Sequence, residues 1–159
     1  MEPKKKHARY QRLFDQISML MDKSNDPDAR MATITAVLHH KMEYFSWTGF
    51  YFLHSGKLTV KTYQGPLACQ ELQPHTGVCW AGIDQEKTMV VADVHQFPGH
   101  IACDSRSCSE IVVPVRDREQ NILAVLDVDS VAFDSFDETD RLNLEIIADL
   151  VYRTKQDFA

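Results

Sequence analysis

The hydrophobic period changes twice along this chain, and those changes limit the folds it can adopt. Tyr10, Leu13, Phe14, Ile17 and Leu20 recur at helical spacing. They predict an amphipathic helix over residues 8–22 and leave residues 1–7 as a flexible N-terminus. Asp26 can cap a second helix, Pro27 suits its first position, and Met31, Ile34, Val37 and Leu38 carry it toward Glu43. From Trp47 the helical period stops. Trp47 to Leu53 is aromatic and apolar, Ser55-Gly56 is a turn, and Leu58, Val60 and Thr62 alternate with polar neighbours, which reads as a hairpin.

The middle of the chain continues in short pieces. A loop opens at Gly65-Pro66, a short strand is placed at Leu72, and a short helix runs from Gly77 to Gln85. Thr88 to Ala92 reads as a buried strand, followed by a long loop over 93–109. Glu110–Val115 and Ile122–Val128 form a second hairpin across the charged turn Arg116 to Asn121. Helical spacing returns in Leu142, Leu144, Ile146, Ile147, Leu150 and Val151, with Ser135 and the acidic pair Asp137-Glu138 signalling its start. Hairpin-connected strands between helices imply the α+β class: an antiparallel sheet with N- and C-terminal helices packed mainly on one face. The 159 residues suit a single domain.

Charge and apolar runs narrow the partners. A net charge of −6 argues against a general nucleic-acid binder. No apolar run approaches the roughly 20 residues of a membrane span. Lys4-Lys5-Lys6 is not followed by the apolar stretch of a secretory signal, so a cytoplasmic location is expected. In that reducing compartment Cys69, Cys79, Cys103 and Cys108 are free thiols, metal ligands or catalytic groups rather than permanent staples.

The four include no C-x-x-C pair, which excludes a thioredoxin motif and a zinc ribbon. His95, His100, Cys103 and Cys108 could supply one His2Cys2 metal site, but their spacing matches no common zinc pattern. A buried hydrophobic role suits Cys108. It suits Cys69 and Cys103 less well, since both sit in loops punctuated by Gly and Pro. The redox alternative is a thiolate that removes an oxygen, becomes a sulfenic acid and condenses with a second thiol.

Carboxylates supply the acid. Asp127 and Asp129 interrupt the apolar run from Leu123 to Val128, and residues two apart in a strand share a face. Like charges side by side, or burial, raise a carboxyl pKa and let it hold a proton near neutrality. The other role for such a pair is to end the strand and cap the next turn. Glu110 begins the partner strand. Trp47 and Tyr51 lie four apart in a strand, hence on one face, either as core or as a wall for a methyl group and a developing sulfonium charge.

Together these residues resemble the free methionine-(R)-sulfoxide reductases, which are single-domain GAF proteins. The resemblance rests on W-T-G-F-Y at Trp47, Q-G-P-L-A-C ending at Cys69, G-V-C at Cys79, and F-P-G-H-I-A-C-D around Cys103. It continues through S-E-I-V-V-P at Glu110 and V-L-D-V-D-S at Asp127 and Asp129, covering residues 30 to 151. It implies a GAF-like fold, with Cys103 as the nucleophile, Cys69 as the main resolving thiol and Cys79 as an alternative partner. It implies further that Glu110, Asp127 and Asp129 bind the sulfoxide and the amino-acid end, and that Trp47 and Tyr51 wall the methyl. The substrate would be free methionine-(R)-sulfoxide. Electrons would come from thioredoxin, itself supplied by NADPH through thioredoxin reductase, with no bound cofactor or metal. Homodimerisation through the terminal helices is also implied. Trp80 after Cys79 departs from the family pattern and predicts a reshaped pocket mouth or a more deeply buried Cys79. The competing function is a GAF-type sensor for a small ligand or for redox state, without catalysis, because one fold hosts many functions.

Overall fold

Six strands form one antiparallel sheet in the computed structural model, which describes residues 1, 3–100 and 103–158. Ile101 and Ala102 of the segment before Cys103 lie outside the described residues. The strands are β1 (Trp47–His54), β2 (Lys57–Gln64), β3 (Glu71–Leu72), β4 (Met89–Val91), β5 (Ser109–Arg116) and β6 (Ile122–Ser130), in the order β3-β2-β1-β6-β5-β4. The helices are α1 (Pro3–Met21), α2 (Pro27–Lys41), α3 (Gly77–Gln85) and α4 (Glu138–Asp149). The α+β class and the antiparallel sheet are therefore as the sequence predicts.

Period two sorts the side chains. Ile111 and Val113 of β5, with Leu126 and Val128 of β6 and Phe50 of β1, face a core completed by Ile17, Ile34, Leu144 and Ile147 from α1, α2 and α4. The opposite face carries Val112, Val125, Trp47 and Tyr51 and is covered by α3. Three helices thus lie on one face and one on the other. The single helix covers the face that holds the acidic residues. The Ser55-Gly56 turn places both residues at positive φ (50° and 72°), which matches the strand twist of a two-residue hairpin.

Two local expectations change. The apolar run at Thr88–Ala92 is an edge strand rather than a buried one: β4 pairs with β5 alone, and Val90 is 41% exposed. The 93–109 loop also contains a short 3-10 turn at Val94–Gln96, held by the Asp93 side chain accepting from the His95 amide. Local periodicity cannot tell an edge from the middle of a sheet.

The first helix starts at Pro3 rather than at residue 8, so residues 3–7 of the N-terminus expected to be flexible are helical. Its anchor is distant in sequence. Lys6 is buried, and its Nζ donates to Asp140 at 2.6 Å and to Asp137 at 2.9 Å. Asp137 is the cap of α4, and its backbone N–H donates back to Asp140. The hydroxyls of Tyr10 and Tyr44 both donate to the other oxygen of Asp140. Removing Asp140 would leave a buried ammonium, the buried Tyr10 hydroxyl and the half-buried Tyr44 hydroxyl short of an acceptor, a loss of about 3–5 kcal/mol. Asp140→Ala is expected to lower the urea midpoint by that equivalent at pH 7. Asp140→Asn, which keeps an acceptor, should recover part of the loss.

Candidate active site

The register of the central strands assembles the acidic floor. Glu110 of β5 sits opposite Asp129 of β6, while Asp127 lies between Val112 of β5 and Gly49 of β1. Trp47 pairs with Asp129 and Tyr51 with Val125. Alternation therefore puts Glu110, Asp127, Asp129, Trp47 and Tyr51 on one face. They line a cleft of about 640 Å³, its open mouth included, together with Cys79 and Cys103. Glu110 and Asp127 are buried at 6% exposure each, and Asp129 is half-buried.

Helix α3 sets the opposite wall and brings Cys79 down to the floor. The Cys79 sulfur and carboxylate oxygens of Glu110 and Asp127 lie within 4.8 Å of one another. Burial pushes the Cys79 thiol up, and the neighbouring Asp127 and Glu110 charges push it further. It is a neutral thiol at pH 7 and a poor nucleophile as it stands. Burial, then the charges of Asp127 and Asp129, hold Glu110 well above the ordinary carboxyl range. Asp129 rises for the same reasons, burial first and Asp127 second. Asp127 is raised by burial to about 6, with the adjacent Glu110 and Cys79 side chains pulling it back down.

No Lys or Arg is among the described residues of this lining. Arg106, outside the lining, is paired with the lining residue Asp104 at 3.1 Å. Protons must therefore neutralise much of the floor, since burying several bare carboxylates together is prohibitive. One oxygen of Asp127 is buried without any hydrogen-bond partner, and it is the point where the floor is least satisfied.

A disulfide closes one end of the cleft. Cys69 and Cys103, 34 residues apart, are bonded with their Cα atoms 5.6 Å apart. The bond joins the loop after β2 to the loop before β5. Cys79 and Cys108 are free thiols, and Cys108 does not line the cleft.

Two aromatic side chains expected as core or as a wall also hold the Cys69 loop. The Tyr51 hydroxyl donates to the Cys69 carbonyl and the Trp47 indole N–H to the Pro66 carbonyl, both at 3.1 Å. The Trp47 ring stacks on Tyr51 at 5.9 Å and on Tyr63 at 5.4 Å. It can do so because Gly49 leaves the space: a Cβ there would fall 2.6 Å from the Trp47 ring. Neither tether has a sequence signal of its own. Only the W-T-G pattern hints at the missing side chain.

Trp80 does not stand at the mouth. It is buried in the apolar cluster beneath α3 and packs against His75, 4.7 Å between ring centres. Cys79 is buried beside it, with its sulfur facing Asp127 and Glu110. The four residues weighed as a His2Cys2 site are not gathered as ligands. Cys103 is bonded to Cys69, His95 is bound to Asp93, and Cys108 is turned to the Arg106 carbonyl. His100 does line the cleft, and burial lowers its pKa.

Comparison with known proteins places this geometry in a family. The GAF-domain profile matches residues 24–152. GAF domain-containing protein A of Dictyostelium discoideum is 43% identical over 92% of this chain and 92% of its own length. The free methionine-R-sulfoxide reductase of Escherichia coli is 37% identical over 77% of this chain and 74% of its own. A solved free methionine-R-sulfoxide reductase from Neisseria meningitidis, in complex with its substrate, superposes with a TM-score of 0.87 at 38% identity. That match covers 92% of this chain and 87% of the other.

Proposed function

This chain belongs to the GAF-domain family, among the free methionine-R-sulfoxide reductases, and from that membership we propose that it reduces free L-methionine-(R)-sulfoxide through Cys103 and Cys69. The observation that carries the reading is the Cys69–Cys103 disulfide at the edge of a cleft whose floor is a proton-holding carboxylate cluster. A sensor would need a pocket, but neither of those features.

The reaction begins with both thiols reduced. The Cys103 thiolate attacks the sulfoxide sulfur while Glu110, its carboxyl held well above the ordinary range by burial and its acidic neighbours, gives its proton to the oxygen. The hydroxyl then passes to the Cys103 sulfur as the S–O bond and the transient S–S bond to the substrate both break, so that methionine leaves and Cys103 is a sulfenic acid. Cys69 then displaces that hydroxyl as water and forms the disulfide. A dithiol such as thioredoxin reopens it by exchange and takes away the oxidised equivalent, drawing electrons from NADPH through its reductase. The chain itself holds no electron-carrying cofactor in this scheme.

Asp127 and Asp129 remain to receive the substrate ammonium, and the Trp47 and Tyr51 faces to receive its methyl group. Cys79, neutral and turned toward the carboxylates, serves the floor rather than the exchange. Exposed Leu142 and Ile146, one turn apart on α4, are side chains that pairing of two copies through the terminal helices would cover.

A coupled assay with NADPH, thioredoxin reductase and thioredoxin tests the proposal. Free methionine-R-sulfoxide should drive NADPH oxidation, and the S epimer should not. No turnover of the R epimer would return the chain to the sensor reading.

A further inference from the structure

The floor of the cleft has the composition of a soft-metal site. Cys79, Glu110 and Asp127 present one sulfur and two carboxylate oxygens within 4.8 Å of one another. All three residues are buried, so their side chains are already ordered and largely desolvated. A second feature points to a ligand independently: one oxygen of Asp127, a residue 94% buried, has no hydrogen-bond partner and belongs to the cleft lining. No cation among the described lining residues answers these groups.

We propose that Cys79, Glu110 and Asp127 bind one thiophilic divalent cation, Zn2+ being the best fit. Zinc takes thiolate at about 2.3 Å and carboxylate at about 2.0–2.2 Å in a tetrahedron, which sets its ligand atoms about 3.3–3.6 Å apart. The three atoms, now within 4.8 Å of one another, must draw in by about 1 Å to reach that spacing on binding. The cleft opens on the fourth side, where water completes the shell, as in zinc sites with three protein ligands. Mg2+ and Ca2+ are excluded by the ligand set, since they require six or more oxygens and avoid sulfur.

Binding forms a Zn–S bond and releases the Cys79 proton, with any proton on Glu110, to solvent. Affinity therefore rises with pH. The ion would rest where the sulfoxide is placed above, so it is an inhibitory site if that proposal holds. The binding itself does not depend on it.

The test uses the disulfide form, in which Cys69 and Cys103 cannot ligate and no turnover occurs, in a Cys108→Ser background. Zn2+ is titrated calorimetrically, and Co2+ is used as a spectroscopic probe. One ion per chain and a thiolate-to-cobalt charge-transfer band are expected, with about one proton or more released and 10 mM Mg2+ unable to compete. Cys79→Ser should remove the band, and Asp127→Asn should weaken zinc binding about tenfold or more. The proposal is overturned if no zinc binds at micromolar concentration, if the cobalt band persists in Cys79→Ser, or if Asp127→Asn binds as tightly as its parent. Circular dichroism of each variant shows whether the fold is intact. Should Cys79→Ser misfold, the cobalt band and the Asp127→Asn affinity still decide.

Discussion

Cys103→Ser should abolish reduction of free methionine-R-sulfoxide, with kcat falling about 10⁴-fold or more. The substituted oxygen is a far weaker nucleophile than a thiolate, and nothing else in the cleft can replace it. Cys79 is the only other lining thiol among the described residues outside the disulfide. Burial and its acidic neighbours hold it neutral. Cys69→Ser should behave differently. The first oxygen transfer precedes disulfide formation, so one methionine per chain should still appear in a single turnover. Cycling with thioredoxin should then fall about 10²-fold or more, because the sulfenic acid has lost its resolving thiol. Rapid-quench measurement of methionine beside the steady-state NADPH assay separates the two variants. Steady-state activity equal to wild type in Cys69→Ser would transfer the resolving role to another thiol.

The second large effect is expected at Glu110. Glu110→Gln keeps the volume and hydrogen-bonding capacity but cannot give a proton, and kcat/KM should fall about 10²–10⁴-fold. Stability should move the other way. In the unfolded chain Glu110 titrates near pH 4.3, and in the fold burial and two acidic neighbours raise it well above that. Above pH 4.3 the folded state therefore binds more protons than the unfolded one, and wild-type stability declines as pH rises through the raised folded value. Glu110→Gln removes that slope. It should be more stable than wild type at pH 8 and gain nothing at pH 4. Urea unfolding at the two pH values checks this. A variant that loses both activity and stability at pH 8 would show Glu110 to be ionised and structurally needed, contrary to the proton-donor role.

Much of this site was legible because period two is a strong signal. Asp127 and Asp129, set two apart in an apolar run, had to share a face, and they do so beside Glu110. The resemblance around Cys103 supplied the pairing with Cys69 that spacing alone left open. What escaped the sequence depends on partners far along the chain. Lys6 lies in a basic N-terminal run that looks solvated, and its carboxylates arrive from 131 and 134 residues away. The Tyr51 hydroxyl reads as core or wall until the Cys69 loop folds over it. Gly49 reads as an ordinary strand glycine, yet its missing Cβ is what admits the Trp47 ring. Val90 sits in an apolar run that could be central, and only the strand order makes it an edge. Trp80 follows Cys79 in sequence, but a helix turns consecutive side chains about 100° apart, so it packs away from the cleft rather than across its mouth.

The most direct measurement is a single turnover of fully reduced protein with excess free methionine-R-sulfoxide and no external reductant, followed by alkylation and peptide mass spectrometry. The account predicts one methionine per chain, a Cys69–Cys103 linked peptide, and alkylated Cys79 and Cys108. Methionine formed with Cys103 still fully alkylated, or a disulfide that omits Cys103, would contradict it.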